Sequence, residues 1–193
     1  MTCATHPLDV SNATLEQKRE ILKYAAETRK FEIERFWQRS LFFWGFIGAA
    51  FVAYAALYDK GEKLLPLLVS CFGLVCSVAW TLQNRGSKYW QEAWEQKVVA
   101  VERDVLGVSL FSNSEPVLRK GFWGAAKFSV SKLAVALSDF TILVWIALGV
   151  NVFPFATVPN SACLPFLAIG VTAAYIACLF IGGRSRRPPP QSN

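Results

Sequence analysis

The feature that most constrains this chain is a set of four long stretches that carry almost no charge. Residues 40–58 and 64–84 contain no Asp, Glu, Lys or Arg over nineteen and twenty-one positions. A helix needs about 20 apolar residues to cross the roughly 30 Å hydrocarbon core of a bilayer. Both stretches meet that requirement, and the short polar link DKGEK between them predicts a helical hairpin.

A second pair of spans is predicted nearer the carboxyl terminus. Residues 140–183 are free of charge, which is enough for two crossings. Asn and Pro residues in the middle of this stretch indicate a turn, so we predict spans at about 132–152 and 162–181. The third span has to begin before the uncharged stretch does. The earlier beginning of the third span brings Lys132 and Asp139 toward the membrane.

Composition excludes several classes of protein. Only 18% of the residues are charged, against about 25% in an average soluble protein. The five cysteines are odd in number and form no C-x-x-C motif, and His6 is the only histidine, so we expect no disulfide framework, no metal site and no cofactor. Acidic residues interleave with the basic ones, so the net charge of +6 predicts contact with membrane lipid and no nucleic-acid partner.

The distribution of Lys and Arg predicts the orientation of the spans. Seven lie in residues 1–40 and eight in residues 83–139, whereas the link between the first two spans has two and the link between the last two has none. Positive residues concentrate on the cytoplasmic side of a membrane, so both termini and the central segment are expected there. The basic residues expected at that membrane surface are Arg39, Arg85, Lys88, Arg184, Arg186 and Arg187.

These observations predict an all-α integral membrane protein with four transmembrane helices in two hairpins, cytoplasmic helical extensions and both termini in the cytoplasm. The segments are a cytoplasmic amino-terminal helix (1–39), a transmembrane hairpin (40–84), a cytoplasmic helix and loop (85–131), a second transmembrane hairpin (132–183) and a disordered cytoplasmic tail (184–193).

The segment before the first span has the pattern of a single helix. Thr14 and Gln17 have the spacing of a capping box, and no Gly or Pro follows before Arg39. Apolar positions form a weak heptad stripe along it. Such a helix either joins copies or partner proteins, or packs against the second cytoplasmic helix of its own chain.

The second cytoplasmic helix carries a clearer apolar stripe. Gly86 allows either a bend before a new helix capped by Ser87 or one continuous helix. Beyond it, apolar residues recur at steps of three and four, at Trp90, Trp94, Val98, Val101 and Val105. Large indole rings favour burial, and we expect the cover to come chiefly from the same chain. A neighbouring subunit and the lipid headgroups are the alternatives.

Lys132 and Asp139 are the charged candidates for function near the membrane. They are seven positions apart and so lie on nearly the same face of a helix. Charged residues at membrane depth are functional candidates. The simpler interpretation, which we favour, is that Lys132 extends to the headgroups while Asp139 lies near the interface, hydrogen-bonded to a neighbouring group.

Three sequence runs resemble a known family. They are ERFWQRSLFFWGFIGAAF, which begins before the first span and continues into it, NRGSKYWQEAWE after the second span and FSVSKLAVALSD before the third. Together they resemble the RipA family of bacterial octameric membrane proteins over about residues 30–150. The resemblance implies a homo-octamer in the bacterial cytoplasmic (inner) membrane. The positions that carry it are Arg35, Phe36 and Trp37, residues 85–94 and residues 129–132.

The leading functional hypothesis is a homo-octameric scaffold without catalytic activity. The chain lacks a Walker loop, a G-x-S-x-G motif and any histidine beyond position 6. Small residues at steps of four in the first span favour close helix association. The residues expected in helix packing or oligomer contacts are Arg35, Phe36, Trp37, Gly45, Ala49, Ala53, Trp90, Trp94, Val98 and Val101.

The alternative hypothesis is an oligomeric ion or small-solute channel. Copies arranged around an axis would repeat Lys132 and Asp139 as rings of charge near a pore mouth. Rings of charged side chains are a common source of ion selectivity. The two hypotheses differ in whether these two side chains face a pore.

Overall fold

The computed structural model describes residues 13–106, 129–153 and 163–184. Within these residues the chain forms four α-helices and no β-strand. They are α1 (Leu15–Tyr58), α2 (Leu64–Leu106), α3 (Val130–Val152) and α4 (Cys163–Gly182). Each contains a stretch long and apolar enough to cross a membrane. The predicted all-α architecture with four candidate spans is confirmed.

Helix α1 combines the amino-terminal helix and the first predicted span in one element of 44 residues. At its start, the Thr14 amide donates to Gln17 Oε1 at 2.9 Å, and the Gln17 amide donates to Thr14 Oγ1 at 3.3 Å. This capping box satisfies amide groups that the first turn leaves without helical partners. Gly61, with φ of 76°, lies in the turn that leads to α2, in a conformation that glycine adopts at low cost.

Helix α2 also continues well beyond its predicted span and has 43 residues. It is unbroken at Gly86, and Ser87 lies inside it rather than at the start of a new helix. Of the two alternatives at this glycine, the structure has the continuous helix. Pro66 lies in the first turn. The N–H groups of a first turn have no acceptor within the helix, so the missing N–H of proline costs little there.

The chain divides into two compact units. The extension unit comprises Met1–Gln38 and Gly86–Val130, and the span unit comprises Arg39–Arg85 and Ser131–Asn193. Helices α1 and α2 therefore each contribute residues to both units.

In the span unit, α3 packs against both α1 and α2. Trp145 of α3 is 1% exposed and stacks on Phe51 of α1 with ring centroids 4.3 Å apart. Tyr54 Oη donates to the Leu148 carbonyl oxygen at 3.2 Å. The earlier residue on α1 contacts the earlier residue on α3, and the later residue contacts the later one. The two helices therefore run in the same direction. The buried core consists of Ile47, Ala50, Tyr54, Leu67, Cys76, Trp80, Trp145 and Val152.

Helix α4 is packed less than the other helices. Pro165 is its one buried residue. Phe166, which follows it, meets Phe153 edge to face with ring centroids 5.4 Å apart. Elsewhere α4 exposes large apolar side chains, including Ile181 at 78%. Continuous apolar surface of this kind is accommodated by lipid rather than by water.

The extension unit has its own contact between α1 and α2. Arg29 Nη2 lies 2.9 Å from Glu95 Oε1. Buried apolar residues occur on both helices of this unit. They are Ala25 and Phe36 on α1 and Val98 and Val101 on α2.

Candidate functional site: the seam between α2 and α3

A line of small and polar residues runs along one face of α2 within the span unit. Gly73, Ser77, Thr81 and Asn84 follow at steps of four, four and three, a spacing that places them on one side of a helix. All four are buried, and the side chains of Ser77 and Asn84 have no exposed surface. We call this face of α2, with the α3 residues that meet it, the α2–α3 seam.

Small residues allow the two helices to approach closely at one end of the seam. A Cβ on Gly73 would overlap ring atoms of Trp145. A Cβ on Gly149 would lie 3.6 Å from Ser70 Cβ, which is ordinary van der Waals contact. Since the later residue on α2 meets the earlier residue on α3, the two helices are antiparallel. Close backbone approach through small residues is a usual basis of helix packing in membranes.

Asn84 connects the helices at the other end of the seam. Its Nδ2 donates to the Ala134 carbonyl oxygen at 3.3 Å and to Ser138 Oγ at 3.4 Å. Ser138 Oγ in turn donates to the Val135 carbonyl oxygen at 2.8 Å. Among the described residues, Asn84 Oδ1 and Thr81 Oγ1 are buried without a hydrogen-bond partner. Buried polar groups are costly in apolar surroundings, so the bonds of Asn84 strongly favour one register of α2 against α3.

An ion pair follows Asn84 along the seam. Arg85 Nη2 lies 3.0 Å from Asp139 Oδ2 and 3.3 Å from Oδ1, so one nitrogen contacts both carboxylate oxygens. The two side chains are 60% and 42% exposed. The charge of Asp139 is therefore balanced by a basic residue of its own chain. Lys132, the other predicted candidate, is exposed near the start of α3.

The predicted apolar stripe of α2 has two different ends. Val98 and Val101 are 2% and 3% exposed. Trp90 is 38% exposed, and Trp94 is half-buried. The valine end belongs to the interior of the extension unit, whereas the Trp90 end presents part of an indole ring at its surface.

The positions that carried the family resemblance in α1 lie at the end of the extension unit. Phe36 is 2% exposed and meets Trp37 edge to face with ring centroids 5.3 Å apart. Trp37 itself is 44% exposed. Arg35 lies 4.9 Å above the ring of Phe31, a cation–π contact, and its guanidinium also donates to Gln38 Oε1 at 3.2 Å.

The small residues of the first span lie mostly on an open face of α1. Gly45 and Ala49 are exposed, and Ala53 is half-buried. No atom lies within 4 Å of a Cβ placed on Gly45. Within the described chain this part of α1 is not covered, although the opposite face packs against α2 and α3.

The predicted surface basic residues have varied surroundings. Arg39 and Arg184 are exposed. Lys88 pairs with Glu92 at 3.2 Å, one turn further along α2. Arg186 and Arg187 lie outside the described residues.

The seam was not predicted from the sequence. The available signal was the continuation of Gly73 and Ser77 to Thr81 and Asn84 at helical spacing in an otherwise apolar helix. No group of three or more His, Cys, Asp or Glu side chains in the described ranges could hold a metal ion.

The comparisons agree with a protein built from packed membrane helices. The octameric membrane protein family (8xMP) matches residues 19–154. The chain belongs to this family. It is therefore a multi-pass membrane protein that forms homo-oligomers. The resemblance to octameric membrane proteins predicted from the sequence is confirmed at the level of the family. No curated protein and no solved structure matches the chain.

The part of the chain that matches the 8xMP family contains both the α2–α3 seam and the stripe of α2. It extends from the first turns of α1 to just beyond the end of α3. Helix α4 lies outside the match, and it is also the least buried of the four helices.

Proposed function

We propose that this protein is a homo-octameric scaffold of the bacterial cytoplasmic membrane, without catalytic activity, in which both termini face the cytoplasm. Such an assembly would organise lipid or recruit other proteins through repeated surfaces. Membership of the octameric membrane protein family supports the number of copies. The numbers of Lys and Arg in successive segments support the orientation.

The observation that carries the scaffold over the channel is the pairing of Asp139 with Arg85. A selective ring needs a net charge on each copy at the pore mouth. The Arg85 guanidinium, 3.0 Å from Asp139, balances that charge within each chain. A ring built from such pairs would have little net charge from this acidic residue.

Two surfaces are suited to contacts between copies. The open face of α1 with Gly45 and Ala49 would permit close approach of a second helix, which in membranes depends on packing rather than on the hydrophobic effect. The half-exposed indoles of Trp37 and Trp90 offer large apolar contacts in the extension unit.

The channel remains the second candidate because Asp139 is 42% exposed and Lys132 is exposed near it in sequence. If the basic residue rather than the acidic one set the charge of the pore mouth, Lys132 would select anions. This possibility gives the channel hypothesis a specific residue to test.

The test is ion flux through vesicles that contain the assembled full-length protein. Four forms are compared: wild type, Asp139→Asn, Lys132→Gln and the exchange variant Arg85→Asp with Asp139→Arg. The exchange variant keeps the ion pair but reverses the charge at position 139. Each form is first checked for the same oligomeric mass, so that loss of assembly is not mistaken for loss of conductance.

The scaffold predicts the same flux as protein-free vesicles for all four forms. A conductance whose preference for cations or anions changes in Asp139→Asn, Lys132→Gln or the exchange variant would contradict the scaffold and establish the channel.

A further inference from the structure

A cavity lies between α2, α3 and α4 within the span unit. Its volume is about 340 Å³, near the lower end of the range of roughly 300–1,000 Å³ that is usual for pockets holding small molecules. The residues that define it include Leu67, Leu74, Trp145, Val150, Ile169 and Ala173. All of them belong to helices that are apolar enough to cross a membrane.

The chemistry of the lining favours an apolar occupant. Its two hydroxyl residues bond within their own helices: Ser70 Oγ donates to the Pro66 carbonyl oxygen at 2.9 Å, and Thr172 Oγ1 donates to the Ala168 carbonyl oxygen at 2.7 Å. The indole N–H of Trp145 is buried without an acceptor in the described part of the chain. Apart from this indole and the Cys71 thiol, which is a weak donor, the cavity offers hydrocarbon contacts, so a charged or strongly polar ligand would lose its hydration without replacement.

The position of the cavity limits which apolar groups can enter. It is lined by three helices of one chain and is partly open at the surface. An α-helix with its side chains is about 10–12 Å across, so a volume of about 340 Å³ is too small for a whole helix of a second copy unless α4 moves away from α2 and α3. The acyl chain of a lipid is narrow and flexible. Acyl chains also surround helices that cross a membrane.

We propose that this cavity holds an acyl chain of one membrane phospholipid per subunit, which packs α4 against α2 and α3. Helix α4 has Pro165 as its one buried residue, so contacts with a bound chain would supply packing that its own side chains do not. Association inside a bilayer depends on such van der Waals contact. The inference needs only that these helices cross the membrane and is independent of the scaffold or channel role.

The experiment uses neighbouring alanines on α4. Ala173 and Ala174 are both exposed, but of the two only Ala173 lines the cavity. Full-length wild type, Ala173→Trp and Ala174→Trp are reconstituted in vesicles of phosphatidylethanolamine and phosphatidylglycerol, extracted, and washed extensively in detergent. Native mass spectrometry then counts the phospholipids that stay bound to each chain.

The expected result is one retained phospholipid per subunit in wild type and Ala174→Trp, and its loss in Ala173→Trp. Gly149→Leu fills the same cavity from α3, where the first added carbon makes only ordinary contact with Ser70, and it should also lose the lipid. This second variant decides the question if Ala173→Trp does not fold.

Three results would overturn the inference. They are wild type that retains no phospholipid, equal retention in the cavity-filling variants and Ala174→Trp, and a change in the number of chains per complex without loss of lipid. The last result would identify a side chain of a neighbouring copy as the occupant.

Discussion

At the scale of single residues, the α2–α3 seam depends on the absence of a side chain at Gly73. Trp145 occupies the space that a side chain at this position would need, and its indole is 1% exposed. Helix propensity alone would favour Ala over Gly by about 1 kcal/mol. Replacing Gly73 by Ala therefore has two opposing effects on stability. It gains helix propensity, but the new side chain must displace a packed indole.

We predict that Gly73→Ala lowers the free energy of unfolding by about 1–3 kcal/mol, because the overpacking cost exceeds the gain in propensity. Denaturation of the purified protein in mixed micelles measures the change. Gly170→Ala is the matched control, since a Cβ there has no atom within 4 Å. Equal stability of the two variants would contradict the packing described for Trp145.

The residues of the seam also show which features of the site could be predicted from the sequence and which could not. The sequence placed Asp139 near the membrane surface and favoured a hydrogen-bonded role for it. It could not identify Arg85 as the partner, because the two are 54 positions apart and pair only in one register of α2 against α3. That register depends on Asn84, Gly73 and their contacts on α3, which no local pattern specifies.

At the scale of helices, the two ends of the apolar stripe on α2 should respond differently to mutation. Val98 is 2% exposed, whereas Trp90 is 38% exposed. Burial of a valine side chain is worth about 1.5–3 kcal/mol. The valine should therefore support the fold of each chain, while the indole is available to a neighbouring copy.

We predict that Val98→Ala lowers the free energy of unfolding by about 1–3 kcal/mol without a specific effect on assembly. Trp90→Ala should reduce the fraction of assembled complex at low protein concentration and change the unfolding of the separate chain less. Thermal unfolding and mass photometry measure the two quantities. A loss of chain stability in Trp90→Ala as large as that in Val98→Ala would assign this indole to the interior of its own chain.

The four spans were predictable because lipid imposes a long apolar stretch, and such stretches are visible in composition. Whether α2 stops at Gly86 was not predictable. A glycine followed by Ser87 is compatible with both a helix end and a helix interior, and the choice depends on packing on either side of it. The same holds for α1, which continues through Arg39 without a break.

At the scale of the whole molecule, we propose that all four helices cross the membrane, which would place both termini on one side, and the Lys and Arg counts predict the cytoplasmic side. In a background without native cysteines, Lys60→Cys in the turn after α1 should react with a membrane-impermeant maleimide in cells whose outer membrane has been opened. Glu16→Cys at the start of α1 should react only after lysis. The reverse pattern would invert the proposed orientation.

Assembly is the central claim, because both the scaffold and the channel require repeated copies. The most direct test is the mass of the full-length complex extracted from the membrane, measured by native mass spectrometry. We predict a single species with eight times the mass of one chain. A monomer or dimer under conditions that preserve the fold would contradict the octamer and, with it, the scaffold proposed here.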